Sequence, residues 1–246
     1  MILRTLWYYL VLLVSSVVHA VPPIVAGILR VPHRRGGVYD WGSNDWSRQI
    51  LWAAGTPVRV HDADRIPAGP IVYASNHSSM FDIWALSASL PGSVRYVAKA
   101  ELGRVPFIGP AMVRAGHILI ERESRKRAFE AYDRAAQQIR RGFSAVVFPE
   151  GTRSRTGELL PFKNAPFALA IAAQVPLVPL YVHNTFEILP KGEWLLKPRP
   201  IEIFVGEPMT TAGLTAQDRE ALRDRVRAAI AALQREARVD AGAGVR

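Results

Sequence analysis

Residues 70–90 read Pro-Ile-Val-Tyr-Ala-Ser-Asn-His-Ser-Ser-Met-Phe-Asp-Ile-Trp-Ala-Leu-Ser-Ala-Ser-Leu. The run Pro70–Ser75 is short and rich in β-branched and aromatic residues, as in a buried strand. A polar turn follows, and Met80–Leu90 is apolar in the manner of a packed helix. This is a strand–loop–helix unit with a histidine and an aspartate at its turn. Outward from it the same alternation continues. Strands are expected at Pro57–His61, Val94–Ala98, His117–Glu121, Ser144–Phe148, Val178–Val182 and Ile201–Val205. Helices are expected at Ser124–Arg141, with Ser124 as cap and Gly142 as stop, and at Asn164–Ala173. A last helix, Ala216–Arg238, opens on Thr215 with Asp218 three residues on. It repeats Leu222, Val226, Ile230 and Leu233 along one face. Such alternation predicts an α/β fold, a mixed and mostly parallel sheet flanked by helices.

The N-terminal end differs. Thr5–Leu29 carries no charge except the near-neutral His19, and Arg30, Arg34 and Arg35 follow it. A spanning helix needs about 20 apolar residues, and Thr5 to Val21 supplies 17 before the Pro22-Pro23 pair. The prolines are expected to end or sharply kink a helix. A span, an interfacial hairpin turning at the prolines, a leader cleaved after Val18-His19-Ala20, and a buried core helix all fit this composition. Gly36–Asp45 reads as a loop. The organisation expected is therefore a membrane-associated helical segment, residues 1–36, followed by an α/β domain, residues 37–246.

The chain has 246 residues, a formal charge of +10 and no cysteine. The missing thiol excludes disulfides, thiolate metal sites and a cysteine nucleophile. The positive charge favours anionic partners without choosing among them.

Three stretches carry chemistry. In Asn76-His77-Ser78-Ser79-Met80-Phe81-Asp82, residues five apart would not face each other within one helix. They meet if His77 precedes the helix and Asp82 lies in its first turn. The carboxylate then orients the imidazole and leaves its second nitrogen as a base. In Phe148-Pro149-Glu150-Gly151-Thr152-Arg153-Ser154-Arg155 a strand runs into a glycine, hydroxyls and a guanidinium fork, a set suited to capturing an anion. Gly116-His117-Ile118-Leu119-Ile120-Glu121-Arg122 places a further arginine at a strand end. Each stretch alone also reads as an ordinary polar turn.

Taken together and in order, Asn-His-x4-Asp, Gly-x-Ile-x-Ile-x-Arg, Phe-Pro-Glu-Gly-Thr-Arg-Ser and Val-Pro-Leu-Val-Pro-Leu resemble the four signature blocks of the glycerolipid acyltransferases, most closely the bacterial 1-acylglycerol-3-phosphate type. The likeness covers roughly Pro70 to Val182. It implies His77 as general base, Asp82 as its orienting partner and Lys99 facing the developing oxyanion. It further implies Glu150, Gly151, Thr152 and Arg153 at the glycerol-phosphate group, Arg122 helping at the phosphate, and Pro179 shaping the acyl-donor side. The reaction implied is acyl transfer from acyl-CoA or acyl-carrier protein to the sn-2 hydroxyl of a lysophospholipid, with no cofactor and no metal. No covalent intermediate is expected, although Ser75, Ser78 and Ser79 flank the histidine. The implied setting is the cell membrane, with the catalytic domain on the cytoplasmic face. Glu121-Arg122 stands where Asp-Arg is common, which leaves the acceptor open between lysophosphatidate, another lysolipid and glycerol 3-phosphate. A basic protein that binds nucleic acid without catalysis is the rival of another class. The uncharged N-terminal segment and the lack of aromatics among the basic clusters speak against it.

Overall fold

The structure is a computed structural model and describes residues 1–121 and 125–243. Among these residues the sheet has seven strands. In chain order they are β1 (Val58–His61), β2 (Val72–Ser75), β3 (Val94–Lys99), β4 (Ile118–Ile120), β5 (Ser144–Val147), β6 (Leu177–His183) and β7 (Ile201–Val205). Their order across the sheet is β1-β7-β6-β2-β5-β3-β4. All neighbours are parallel except β6 and β7, where Leu180 pairs with Val205 in antiparallel register. The fold is thus a mixed, mostly parallel sheet with helices on both faces, as the alternation predicts. The central strands β2 and β5 are buried along their whole length. That is why they read as continuous apolar runs rather than alternating ones.

Helices cover the two faces unequally. On one face lie α5 (Arg125–Arg140), α6 (Ala165–Ala173) and α8 (Arg219–Ala243). Ala136 and Ile139 of α5 and Leu222, Val226, Ile230 and Leu233 of α8 pack there with Val72, Val147 and Phe167. The capping box at Thr215 and Asp218 forms, in a 3₁₀ turn that leads into α8. Ser124, read as the cap of α5, lies outside the described residues. On the other face lie α1 (Ile2–Ile28), α2 (Val38–Ala54) and α3 (Phe81–Ser89). Tyr8, Ile50, Leu51, Phe81 and Trp84 join Tyr73, Val146 and Leu180 in the core there. The short helices α4 (Ile108–Arg114) and α7 (Thr185–Ile188) complete the set.

Two expectations are overturned. The first is the break at Pro22-Pro23: α1 runs through both prolines to Ile28. The missing N–H groups leave carbonyls on the preceding turn without helical partners, and α2 packs against that turn. Gly42 of α2 approaches so closely that a Cβ there would sit 3.3 Å from the His19 carbonyl oxygen. His19 Nε2 also bonds Asp45 Oδ2 at 2.9 Å. Tertiary packing therefore keeps the helix continuous, and there is no hairpin. The second is the loop at Gly36–Asp45, most of which is the first two turns of α2. Its Gly, Ser and Asn residues weaken the local helix signal, but Tyr39, Asp40, Gly42 and Ser47 form a buried face continued by Ile50 and Leu51.

Among the described residues α1 is the one helix long and apolar enough to cross a membrane, with mean hydropathy 2.1. One face is buried through Thr5, Tyr8, Ser15, His19 and Ala26. The other exposes Leu3, Trp7, Leu10, Val14, Val18, Val21, Val25 and Ile28. These recur every three or four residues and form an apolar stripe along the whole helix.

Candidate active site

Parallel strands deliver their following loops to one edge of the sheet. Because β2 lies between β5 and β6, the loops after these three strands meet, although they are far apart in sequence. Such a carboxyl edge is the usual place for a site in an open α/β sheet.

His77 stands in the loop after β2 and Asp82 in the first turn of α3. His77 Nδ1 and Asp82 Oδ2 are 2.7 Å apart. The same oxygen accepts from the backbone amides of Ser78 at 2.7 Å and Ser79 at 2.9 Å. The other, Oδ1, accepts from the Thr185 hydroxyl. Asp82 is fully buried, whereas the His77 side chain keeps 13% exposure. The other groups facing the carboxyl are all donors, so the tautomer that fits this geometry carries its proton on Nδ1 and leaves the Nε2 lone pair free. Nε2 makes no hydrogen bond among the described residues. The ring is fixed against Phe148, with centroids 4.0 Å apart and planes 17° from parallel. The paired geometry expected of His77 and Asp82 is therefore present.

Asn76 secures the neighbouring strand. Its Nδ2 donates to the Val182 carbonyl at 2.9 Å, and its Oδ1 accepts from the Val182 amide at 2.7 Å. The side chain thus imitates a strand and extends the contact between β2 and β6 beyond the last paired residues. The flanking serines are occupied. Ser75 Oγ donates to the Asn76 carbonyl and Ser79 Oγ to the Leu189 carbonyl, while Ser78 Oγ shares a hydrogen bond with Thr185 at 3.0 Å. All three are buried.

The loop after β5 arrives from the other side. Ser154 N donates to the His77 carbonyl at 2.7 Å, which seats Arg153 next to the histidine loop. Glu150 is 3% exposed. Its Oε1 accepts from the His77 amide at 2.8 Å and its Oε2 from the Leu160 amide at 3.0 Å. Both carboxyl oxygens are thus committed to the backbone. Burial pushes the Glu150 pKa up to about 7, against the two amide donors that favour its charge, and the nearby Asp82 charge adds to the rise. Gly151 takes φ +71, and a Cβ there would meet Lys163 at 3.0 Å. That is a position for glycine on both counts. Thr152 is exposed and its Oγ1 accepts from Lys191 Nζ at 3.3 Å. Arg153 is half-buried, with no carboxylate partner among the described residues.

The remaining expected residues are more distant. Lys99 is exposed at the end of β3, which lies two strands from β2, roughly 10 Å across the sheet, and it does not touch His77. Pro179 is buried in β6 opposite Ala74 and packs on Gly206, whose Cβ would come within 2.8 Å of its ring. Arg122 lies outside the described residues. Two residues escaped the sequence reading. Lys191 had no signal. Thr185, fully buried, follows β6 by two positions and reaches Asp82 only because β6 is the neighbour of β2.

A family model described as Acyltransferase matches residues 57–183. Human 1-acyl-sn-glycerol-3-phosphate acyltransferase alpha is 36% identical over 197 residues, which is 79% of this chain and 70% of that protein. The 1-acyl-sn-glycerol-3-phosphate acyltransferase of Cocos nucifera is 30% identical over 179 residues, 72% of this chain and 57% of that protein. In fold, the crystal structure of the 1-acyl-sn-glycerophosphate acyltransferase PlsC from Thermotoga maritima superposes with a TM-score of 0.78 at 22% identity, covering 95% of both chains. The matched segment holds His77, Asp82 and the Glu150–Arg153 loop. By sequence and by fold, this chain belongs to the acyltransferase family.

Proposed function

We propose that this chain transfers a fatty acyl group from acyl-CoA or acyl-carrier protein to the sn-2 hydroxyl of 1-acylglycerol-3-phosphate, giving phosphatidic acid. The observation that carries the chemistry is the 2.7 Å contact between His77 and Asp82 with Nε2 unengaged beside the Arg153 loop. Nε2 takes the hydroxyl proton as the alkoxide oxygen attacks the thioester carbonyl. The tetrahedral intermediate collapses, the carbon–sulfur bond breaks, and the imidazolium returns its proton to the thiolate. Asp82 steadies the imidazolium through both steps. The engagement of Ser75, Ser78 and Ser79 supports direct transfer over an acyl-serine.

Gly151, Thr152 and Arg153 hold the acceptor phosphate, with Arg122 completing the grip. Glu150 acts on the acceptor indirectly, by fixing the loop that presents these groups. On the donor side, Lys99 reaches the oxyanion only if its long side chain swings in from the end of β3, and Pro179, buried in β6, shapes that side from beneath. The apolar stripe of α1 sits in the membrane from which the lipid acceptor is drawn. Arg30, Arg34 and Arg35 favour the cytoplasmic face.

The test is turnover of purified protein with lysophosphatidate and either acyl-CoA or acyl-carrier protein, beside a panel of other lysolipids and glycerol 3-phosphate. His77→Ala should lower kcat by about 10²–10⁴-fold. Arg153→Ala should raise the KM for lysophosphatidate more than it lowers kcat. Near-normal turnover in His77→Ala would defeat the base assignment, and faster use of another acceptor would reassign the substrate.

A further inference from the structure

Acyl transfer leaves unused a second polar cluster, at the opposite edge of the sheet where β3 begins. Arg95 is 3% exposed. Its Nη1 donates to Asp40 Oδ1 at 2.7 Å and to the Val94 carbonyl at 3.0 Å, and its guanidinium lies over the Phe143 ring, 4.9 Å from the centroid. The other terminal nitrogen, Nη2, is buried with no hydrogen-bond partner among the described residues. A buried guanidinium donor without an acceptor is costly, so it points to something that binds there. Asp40 has little capacity left, since it also accepts from Ser93 Oγ and from the Gly36 amide.

Arg95 lines a cleft of about 390 Å³ together with His33, Arg35, Gln138 and Arg141. Among the described residues, no carboxylate lines it. Three guanidinium groups against the single Asp40 behind them leave the cleft positive. Gly116, at φ +81, forms part of the wall; a Cβ there would stand 3.6 Å from both Arg95 Nε and His33 Cε1. The cleft is not an extension of the candidate active site. Arg95 is the second residue of β3, and the catalytic edge lies beyond Lys99 at its other end, roughly 13 Å along the strand.

We infer that this cleft is a phosphate-binding site. Guanidinium forks match the tetrahedral, multiply accepting oxygens of a phosphate, and an oxygen over Nη2 would supply the missing acceptor. Its position favours the head group of an anionic phospholipid over free phosphate. An adjoining cleft contains Gly27, Arg30, His33 and Arg114, and the exposed Ile28, Leu29 and Val31 stand at the same end of α1. A head group in the cleft would keep its acyl chains beside that apolar end.

The test uses the full chain in neutral detergent micelles, in an Arg153→Ala background that weakens phosphate binding at the acceptor loop. Affinity is measured for phosphatidylglycerol added to the micelle, for inorganic phosphate and for phosphatidylcholine. Arg35→Ala with Arg141→Ala, both exposed side chains, should weaken phosphatidylglycerol binding by about tenfold or more and leave phosphatidylcholine unaffected. Arg95→Lys, which keeps a cation beside Asp40 but removes the fork, should weaken it as well. Loss of phosphatidylglycerol binding alone identifies a lipid site. Parallel loss for inorganic phosphate identifies a general phosphate site. Unchanged affinity for both probes in the double variant, or disappearance of all binding with Arg153→Ala alone, overturns the inference. Neither outcome bears on His77.

Discussion

Two buried carboxylates stand at opposite ends of the sheet, and each holds one base. Asp82, at the carboxyl edge, accepts from two backbone amides, a threonine hydroxyl and the imidazole of His77. Asp40, at the amino edge, accepts from a backbone amide, a serine hydroxyl and the guanidinium of Arg95. The two surroundings are alike in donor type and burial. The difference is in the partner. Imidazole exchanges its proton near neutral pH and guanidinium does not. On the proposed reading, the same carboxylate device serves proton transfer at one end and a fixed charge at the other.

The largest effect should come from unsettling the first pair. Asp82→Asn keeps the shape but removes the charge, and kcat should fall by about 10²–10⁴-fold while the protein remains folded. A loss below tenfold, read from steady-state turnover, would mean that Asp82 only builds the loop. Breaking the second pair should act on stability. Asp40→Ala leaves Arg95 buried and unpaired, and urea unfolding should show a loss of about 3–5 kcal/mol. A loss under about 1 kcal/mol would mean that the guanidinium escapes to water.

Thr185→Val tests what sharpens Asp82. Without that donor, kcat should fall about tenfold, on the scale of one buried hydrogen bond of about 1–3 kcal/mol. Thr185→Ser, which keeps the hydroxyl that donates to Asp82, should restore kcat, whereas a threonine that only fills space would be replaced as well by valine as by serine. The smallest effect concerns Glu150, whose folded pKa of about 7 stands above the ordinary 4.5. Its stabilising contribution is complete below pH 4.5 and is lost as pH rises through about 7. Stability should therefore decline across that window by up to about 1.4 kcal/mol per pH unit. Glu150→Gln should flatten the decline in thermal unfolding curves.

Much of this is legible in the sequence. All seven strands lie within a residue or two of their expected limits, because short β-branched runs bounded by turns signal themselves locally. So do Asp82 and His77, five residues apart in one turn. What escaped depends on contacts between distant segments. α2 carries Gly42, Ser43 and Asn44 near its start and is a helix because α1 and α3 flank it. Pro22 and Pro23 stay helical for the same reason. Thr185 needs the strand order, since only the placement of β6 beside β2 brings it to Asp82. The role of Glu150 was half legible: its motif marks the loop, but its orientation toward the His77 amide is a matter of packing.

The side chain of Asn76, clasping Val182 by both of its backbone groups, has a mechanical consequence. It welds the histidine turn to the segment that carries Thr185, so these two move as one block and cannot part like jaws. On the proposed reading, a bulky lipid acceptor would enter from the opposite flank. There the segment around residues 150–160 is latched by the Glu150 carboxyl, and that latch weakens or tightens with a single proton.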